Sequence, residues 1–374
     1  MIQGVDLTLK IGPVPVAAPR EVVEALVAAK VESGSGASQS GFELTFELPA
    51  RSPLRTLFLL TGGGALPLMR VVLVVTINGQ AQSIIDGVTT HVETQPGEGG
   101  VSRLVVKGKD LSALMNKIEI PGLPFPAMPP SVRVLLILAK YAAFGVIPMV
   151  IPSLNDIPPL PIDRIPQQHG TDYAYVKSLA DEAGYVFYLE PGPTPGTSTA
   201  YWGPEIRVGA PQPALTTNMD AQTNVEQLSF TFEKERKWLP IVSFQEPFSK
   251  ATITVPIPDV TPLNPPLGLV PPLPPQIAKI NRTGHLSAPE AIAAGIAFVG
   301  QNSDSVFGRG TLDVAKYGRL LRSRSPVGVR GASIPFDGLY YVTNVTHEIK
   351  PGSYKQSFAL ARNALISTVP TVPT

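Results

Sequence analysis

The stretch from Pro166 to Glu190, PQQHGTDYAYVKSLADEAGYVFYLE, constrains the fold of this chain more tightly than any other. Thr171 and Asp172 are good N-cap residues, able to satisfy the orphan N–H groups of a first helical turn. Val176, Leu179, Ala180 and Ala183 follow at i, i+3, i+4 and i+7, which makes one buried helical face. Gly184 stands where a left-handed residue is wanted after a helix. YVFYLE then has the aromatic and β-branched content of a strand, and Pro191 stops it. Asp181-Glu182 could serve as acid/base machinery, but a solvated helix face is the expected role.

The N-terminal third reads as β structure. Val5, Leu7, Leu9 and Ile11 alternate, with no signal-peptide pattern before them, so export is expected by another route such as lysis. In MRVVLVVTINGQAQSIIDG two apolar strands flank Asn78-Gly79, a strong hairpin signal. Asp86-Gly87 and Pro96-Gly97 are expected to punctuate the following strands, and Leu104-Val105-Val106 closes the set. Residues 1 to about 110 thus predict an antiparallel sheet or barrel, with a short helix from Asp110 to Lys117. Farther on, a helix over about 131–144 is expected to be buried. The apolar run Val132 to Ile151 contains Arg133, Lys140 and Pro148, which argues against a membrane span.

Proline, at 41 of 374 residues, is about twice its usual frequency. The run at 255–276, VPIPDVTPLNPPLGLVPPLPPQ, lacks donors and has fixed φ, so a polyproline-like arm is expected, a spacer or a subunit clasp. Before it, PGPTPGTS makes a hairpin tip leading to strand TAYWG at 199–203, and VEQLSFTFE at 225–233 predicts a strand of another sheet. After it, Ser287-x-x-Glu290 with Pro289 is a capping box for a helix through AIAAGIAFV. A helix from about Leu312 to Arg322 and the strands PVGVRG, LYYVTNVTHEI and YKQSFALAR complete the chain.

The two ends share a pattern. VTING at 75–79 and VGVRG at 327–331 both read V-x-[IV]-x-G. Val88-Thr89 matches Val342-Thr343 and Leu104 matches Phe358 at one common separation. Pro96-Gly97 matches Pro351-Gly352 with a slip of one residue. Internal duplication is the expectation, and three copies of a duplicated chain would present six similar units.

The order Gln, Asp-aromatic, Leu-Ala-acidic helix and Gly-Tyr-x-Phe-Tyr within 166–190 resembles the phage late-control gene D family, which includes VgrG proteins and the baseplate hubs of contractile tails. The ending GLYYVTNVTHEIKPGSYKQSFALARNAL is similar to that family's closing strands, with Gly-x-Tyr-x-Val, a His, Gly-x-Tyr and Phe-x-Leu-x-Arg. YWGPEIRVGAPQPAL at 201–215 and Lys316-Tyr317-Gly318-Arg319 are similar to hubs of phage-like injection particles.

The resemblance implies a mainly β fold with an α/β middle region, containing two tube-like antiparallel β-barrel domains related by internal duplication. The domains expected are 1–112 and 225–254 with 286–374 as the two tube-like units, 113–224 as the middle region, and 255–285 as the Pro-rich arm. It implies a homotrimer that joins a hexameric inner tube to a separate trimeric spike, contacts other baseplate proteins, and is assembled in the bacterial cytoplasm as part of a tail or tail-like particle. The oligosaccharide-binding fold and β-helix that follow in VgrG are not expected within these 374 residues, so the spike is expected to be a separate polypeptide.

Little in the sequence points to chemistry. With 30 basic and 29 acidic residues there is no electrostatic footprint for nucleic acid or an anionic membrane. Cysteine is absent, which excludes disulfides and thiolate sites. His91, His169, His285 and His347 lack metal-ligand spacing, and His91 and His347 are expected as structural strand residues. SGSGASQS at 33–40 reads as a flexible loop, and Gly62-Gly63-Gly64 and Gly108 as loop or turn glycines. Arg319, Arg322, Arg324 and Arg330 suggest a solvated helix face, or a surface for an anionic partner. No catalytic, cofactor-binding or metal-ligating residue is assigned, and no cofactor is expected. The alternatives are a tail-associated cell-wall hydrolase, and a carbohydrate-binding β module using Trp202 and Trp238 as stacking platforms.

Overall fold

The computed structural model describes residues 4–36, 38–49, 52, 58, 68–96, 101–117, 119–153, 156–162, 165–236, 238–245, 249, 251–257, 264–272, 276–280, 288, 291–292, 295–296, 298–299, 303–369 and 372. The first part comprises β1 (Val5–Gly12), β2 (Val16–Ala17), a short helix α1 (Arg20–Glu24), β3 (Leu26–Gly34), β4 (Gly41–Pro49), β5 (Arg70–Ile77), β6 (Gln80–Pro96) and β7 (Val101–Asp110). Asn78 and Gly79 have φ of 50° and 80°, the positive values a two-residue type I′ hairpin needs. The β5–β6 hairpin follows, paired from Ile77↔Gln80 to Arg70↔Val88.

Three expectations change here. Asp86-Gly87 does not break a strand but lies buried within the 17 residues of β6. Arg70 holds the Asp86 carboxylate through Nε and Nη2 at 2.7 and 2.6 Å, so the turn-forming residue is used as a buried counter-ion. Gly108 sits inside β7, not in a loop, because a Cβ there would lie 2.2 Å from the Phe42 ring and 2.4 Å from the Val88 carbonyl oxygen. Of the serine-rich 33–40 stretch, Ser33 and Gly34 belong to β3, and Ser40 is buried with its N–H on Asp110 Oδ2 at 2.6 Å. Gly62, Gly63, Gly64 and Gly97 lie outside the described residues.

The middle region contains α2 (Ser112–Met115), α3 (Pro130–Ala139), β8 (Val146–Val150), α4 (Asp172–Ala183), β9 (Val186–Pro191) and β10 (Ser198–Gly203). Thr171 caps α4 by accepting the Ala174 N–H, and Gly184 ends it at φ 70°. Val176, Leu179 and Ala180 are buried against Phe187, Leu189 and Trp202, so the residues 166–190 fold as their pattern dictates. The sheet order is β8-β10-β9, with β8 parallel and β9 antiparallel to β10. α3 ends at Ala139, short of the predicted 144, and a 3₁₀ turn closes on Gly145 at φ 74°. Its Val132, Leu135 and Leu136 are exposed rather than buried. No helix among the described residues is long and apolar enough to cross a membrane.

The last part comprises β11 (Gln212–Thr216), β12 (Val225–Phe232), β13 (Trp238–Gln245), β14 (Thr252–Pro256), β15 (Gly268–Val270), β16 (Gln276–Lys279), β17 (Val306–Asp313), α5 (Val314–Tyr317), β18 (Pro326–Arg330), β19 (Gly338–Lys350), β20 (Ser353–Arg362) and β21 (Leu365–Ser367). The helix predicted over 312–322 shrinks to α5, because Leu312 stays in β17, Asp313 caps at once, and Gly318 ends the turn at φ 76°. The four arginines therefore do not share a helix face. In the Pro-rich segment β15 pairs with β21, and β13 pairs with β14 and β16. The capping box at Ser287, Pro289 and Glu290, and His285, lie outside the described residues.

Thirteen strands join in one sheet, with a main path β12-β17-β20-β19-β3-β4-β7-β6-β5-β1-β2 and with β18 and β11 branching from β19. β12 thus belongs to the same sheet as the N-terminal strands, not to another one. Among the described residues the path is open at both ends and forms no closed barrel. Its joint is β19 with β3, paired from Asn344↔Gly34 to Ile349↔Ala29. One hydrophobic core runs under both halves, from Leu9, Val31 and Leu73 to Val329, Tyr340 and Leu360. The opposite face is polar. Across it run His91, Lys107, Glu43, Lys30, Glu348, Lys355 and Asp313, each opposite the next on a neighbouring strand. From Lys107 to Asp313 the charges alternate in sign, the favourable arrangement for directly opposed residues.

Candidate assembly interface

The buried ionisable groups are structural ties. Arg70 reaches past Asp86 to the Gly196 carbonyl at 2.9 Å, which fastens the β9–β10 tip to the main sheet. Burial pushes the Asp86 carboxyl above the usual carboxylate range, against the lowering effect of Arg70. Asp110, raised by the same cause, accepts the Ser40 and Ser112 N–H groups. Asp172 collects Lys140, Tyr141 and Gln168 at 2.7–3.1 Å. Arg207 pairs with Asp304 at 2.8 Å and lies over the Tyr341 ring. Each of these groups has partners from other elements, which ties those elements together.

The sequence candidates disperse. Asp181 and Glu182 are exposed on α4. His347 is buried with Nδ1 on the Tyr354 hydroxyl at 2.7 Å, whereas His91 is exposed on β6. Trp202 is 0% exposed, with Nε1 donating to the Val176 carbonyl, so it cannot stack on a sugar. The Trp238 side chain lies outside the described residues. Arg324 lies over Tyr188 at 3.9 Å, and Arg322 donates to Gln82 Oε1 at 2.8 Å, so both link the last part to earlier elements. Arg319 is exposed, and Arg330 ends β18. Among the described residues no group of three or more His, Cys, Asp or Glu side chains could hold a metal ion. A shallow hollow of about 580 Å³ lies on the polar sheet face, lined by Ser229, Arg309, Thr311, Asn344, Thr346 and Ser357.

What the surface offers is unpaired edge and apolar area. β8 is an edge strand with Ile147 and Met149 each 52% exposed. Beside it are Leu135 and Leu136 of α3, while Ile157, Leu160 and Ile162 follow on the Pro-rich stretch, Ile162 being 89% exposed. Leu269, Val270 and Ile277 are exposed on β15 and β16. Exposed large apolar side chains of this kind are candidates for contact with a partner. Composition predicts extensive surface buried against partners but not which segments carry it, and the pattern over 131–144 predicts a buried helix where Leu135 and Leu136 are exposed. The signal was the low share of charge, 16% beside 44% hydrophobic residues.

No protein-family model and no curated protein matches the sequence. Solved structures do. A tail protein from Neisseria meningitidis MC58 aligns over 96% of this chain and 97% of its own, at TM-score 0.62 and 14% identity. The 43 kDa tail protein of prophage MuSo2 from Shewanella oneidensis aligns over 96% and 99%, at TM-score 0.63 and 13% identity. An E. coli component of the type VI secretion system, itself described as similar to the T4 tail proteins gp27 and gp5, aligns over 96% and 79%, at 0.55 and 12%. With so little identity the likeness is one of fold, and it covers nearly the whole chain: the mainly β architecture described above is that of phage tail proteins and of a type VI secretion component.

Proposed function

We propose that the chain is a structural, non-enzymatic baseplate hub, an adaptor that joins a hexameric inner tube to a trimeric spike as a homotrimer. One observation carries the reading. The strands β3, β4, β5, β6 and β7 occur in chain order and are arranged β5-β6-β7-β4-β3, all antiparallel. The strands β12, β17, β18, β19 and β20 repeat that order as β18-β19-β20-β17-β12, again all antiparallel. Both sets carry a bulge in the same long strand, after Thr89 in β6 and after Val342 in β19.

A duplicated unit supports residues 1–112 and 225–254 with 286–374 as the two tube-like segments, with 113–224 as the middle region and 255–285 as an arm. Three such chains present six alike segments to a sixfold neighbour while remaining threefold. The particle, in this reading, is a phage tail or a phage-like injection system assembled in the bacterial cytoplasm and released by lysis. Light scattering on the purified chain at micromolar concentration tests this, with a trimer expected. A monomer that persists at high concentration would sink the reading.

A further inference from the structure

The repeated topology leaves one pair of edges unsatisfied, and each is the counterpart of an edge that is satisfied. β19 switches neighbours along its length: Gly338–Tyr341 pairs with β18, and after the bulge Asn344–Ile349 pairs with β3. β6 has the same design. Its first half pairs with β5 as far as Val88, but beyond its bulge no described strand lies along the outer edge of residues 91–96. β12, the counterpart of β3, ends the sheet path, and among the described strands it pairs with β17 alone. These two open edges lie at opposite ends of the run β12-β17-β20-β19-β3-β4-β7-β6 and do not pair with each other within the chain.

We propose that β12 of one copy pairs antiparallel with the second half of β6 in the next copy, repeating between subunits the joint that β3 makes with β19. The proposal rests on the duplicated-unit reading above and adds a register to it. Matching the two bulges sets His91 in the place of Asn344. Matching the pairs Lys30↔Glu43 and Ser229↔Arg309 sets Ser229 in the place of Lys30. Carrying the β19–β3 register across puts His91 opposite Glu233, Val92 opposite Phe232, Glu93 opposite Thr231, Thr94 opposite Phe230 and Gln95 opposite Ser229.

The chemistry of that register is consistent. Val92, Phe230 and Phe232 all pack partly against the main core from one side of the sheet, so the apolar faces coincide. Glu93, Thr231, Gln95 and Ser229 fall on the polar face. Thr94 has a buried hydroxyl with no partner within the chain, at a position the joint would cover. β12 has no proline or lysine from Val225 to Phe232, and no described strand pairs along its outer edge. Natural edges that stay free are protected by such devices.

The absence of cysteine makes the test clean. Directly opposed residues in an antiparallel pair lie within disulfide reach. Glu93→Cys and Thr231→Cys, prepared as separate variants and mixed, should give a covalent dimer on oxidation that neither gives alone. The same two changes in one chain should give closed covalent oligomers, at least tenfold more than Glu93→Cys with Gln227→Cys, whose sites would lie about 13 Å out of register. Equal or greater linking by the displaced pair overturns the proposal. So does an absence of linking in material that light scattering shows to be oligomeric, which would leave the hub reading standing. A monomer in that measurement overturns both.

Discussion

His347 shows how a polar residue can be structural and still leave a solution signature. Its ring is buried at the β19–β3 joint, on Tyr354, with Gln356 spanning from 3.5 Å to the Leu321 carbonyl. Burial lowers its pKa from the ordinary 6.5 to about 4. Because the folded value is the lower one, the unfolded chain binds the extra proton between the two. Stability from this group is therefore full above pH 6.5 and is lost as pH falls toward 4. At roughly 1.4 kcal/mol for each pH unit between them, the loss is about 3 kcal/mol. His347→Gln should have a urea midpoint that changes less across this window than that of the parent, whatever its absolute stability. Parallel curves for the two proteins would contradict the assignment.

At the scale of elements, close backbone approach sets the tolerances of the sheet. Gly108 in β7 leaves room for the Phe42 ring on one side and the Val88 carbonyl on the other. A methyl group there meets a ring that can shift and a β6 backbone that cannot. Gly108→Ala should cost about 1–3 kcal/mol in denaturant unfolding, and an unchanged midpoint would mean that β6 and β7 pair differently. Such contacts explain what was legible beforehand. The Asn78-Gly79 hairpin and the capped α4 follow local rules, and both formed as written. Leu312–Arg322 has helical spacing, yet Asp313 and Gly318 bracket a single turn. Asp86-Gly87 has turn composition, yet Arg70, sixteen residues away, neutralises the one and Lys109 crowds the other. In the duplicated-unit reading the sequence match of the two ends is also out of register: it sets VTING against VGVRG, whereas the bulges place Arg70 against Pro326 and so Val71, not Val75, against Val327. Bulges leave no mark in composition.

For the whole molecule, the decisive non-local fact is the pairing of Val31 with His347 and its neighbours, which no local pattern announces. It turns two predicted barrels into one open sheet over one core. Ile147, Met149, Leu135 and Leu136 stand exposed on the flanking middle region, and exposed apolar side chains of this kind suit an interface. If those residues meet a partner in the assembled particle, charge placed there should separate folding from assembly. Met149 lies half exposed on the edge strand β8 and takes no part in the middle-region core. Met149→Glu should leave the thermal midpoint within the range of surface substitutions, about 0.5 kcal/mol. A buried carboxylate at an interface lacks a counter-ion and costs several kcal/mol there, so the same variant should shift the light-scattering mass toward the monomer. A variant that unfolds earlier would place Met149 in the core of the subunit. One that folds and assembles like its parent would mean that this apolar edge stays in water.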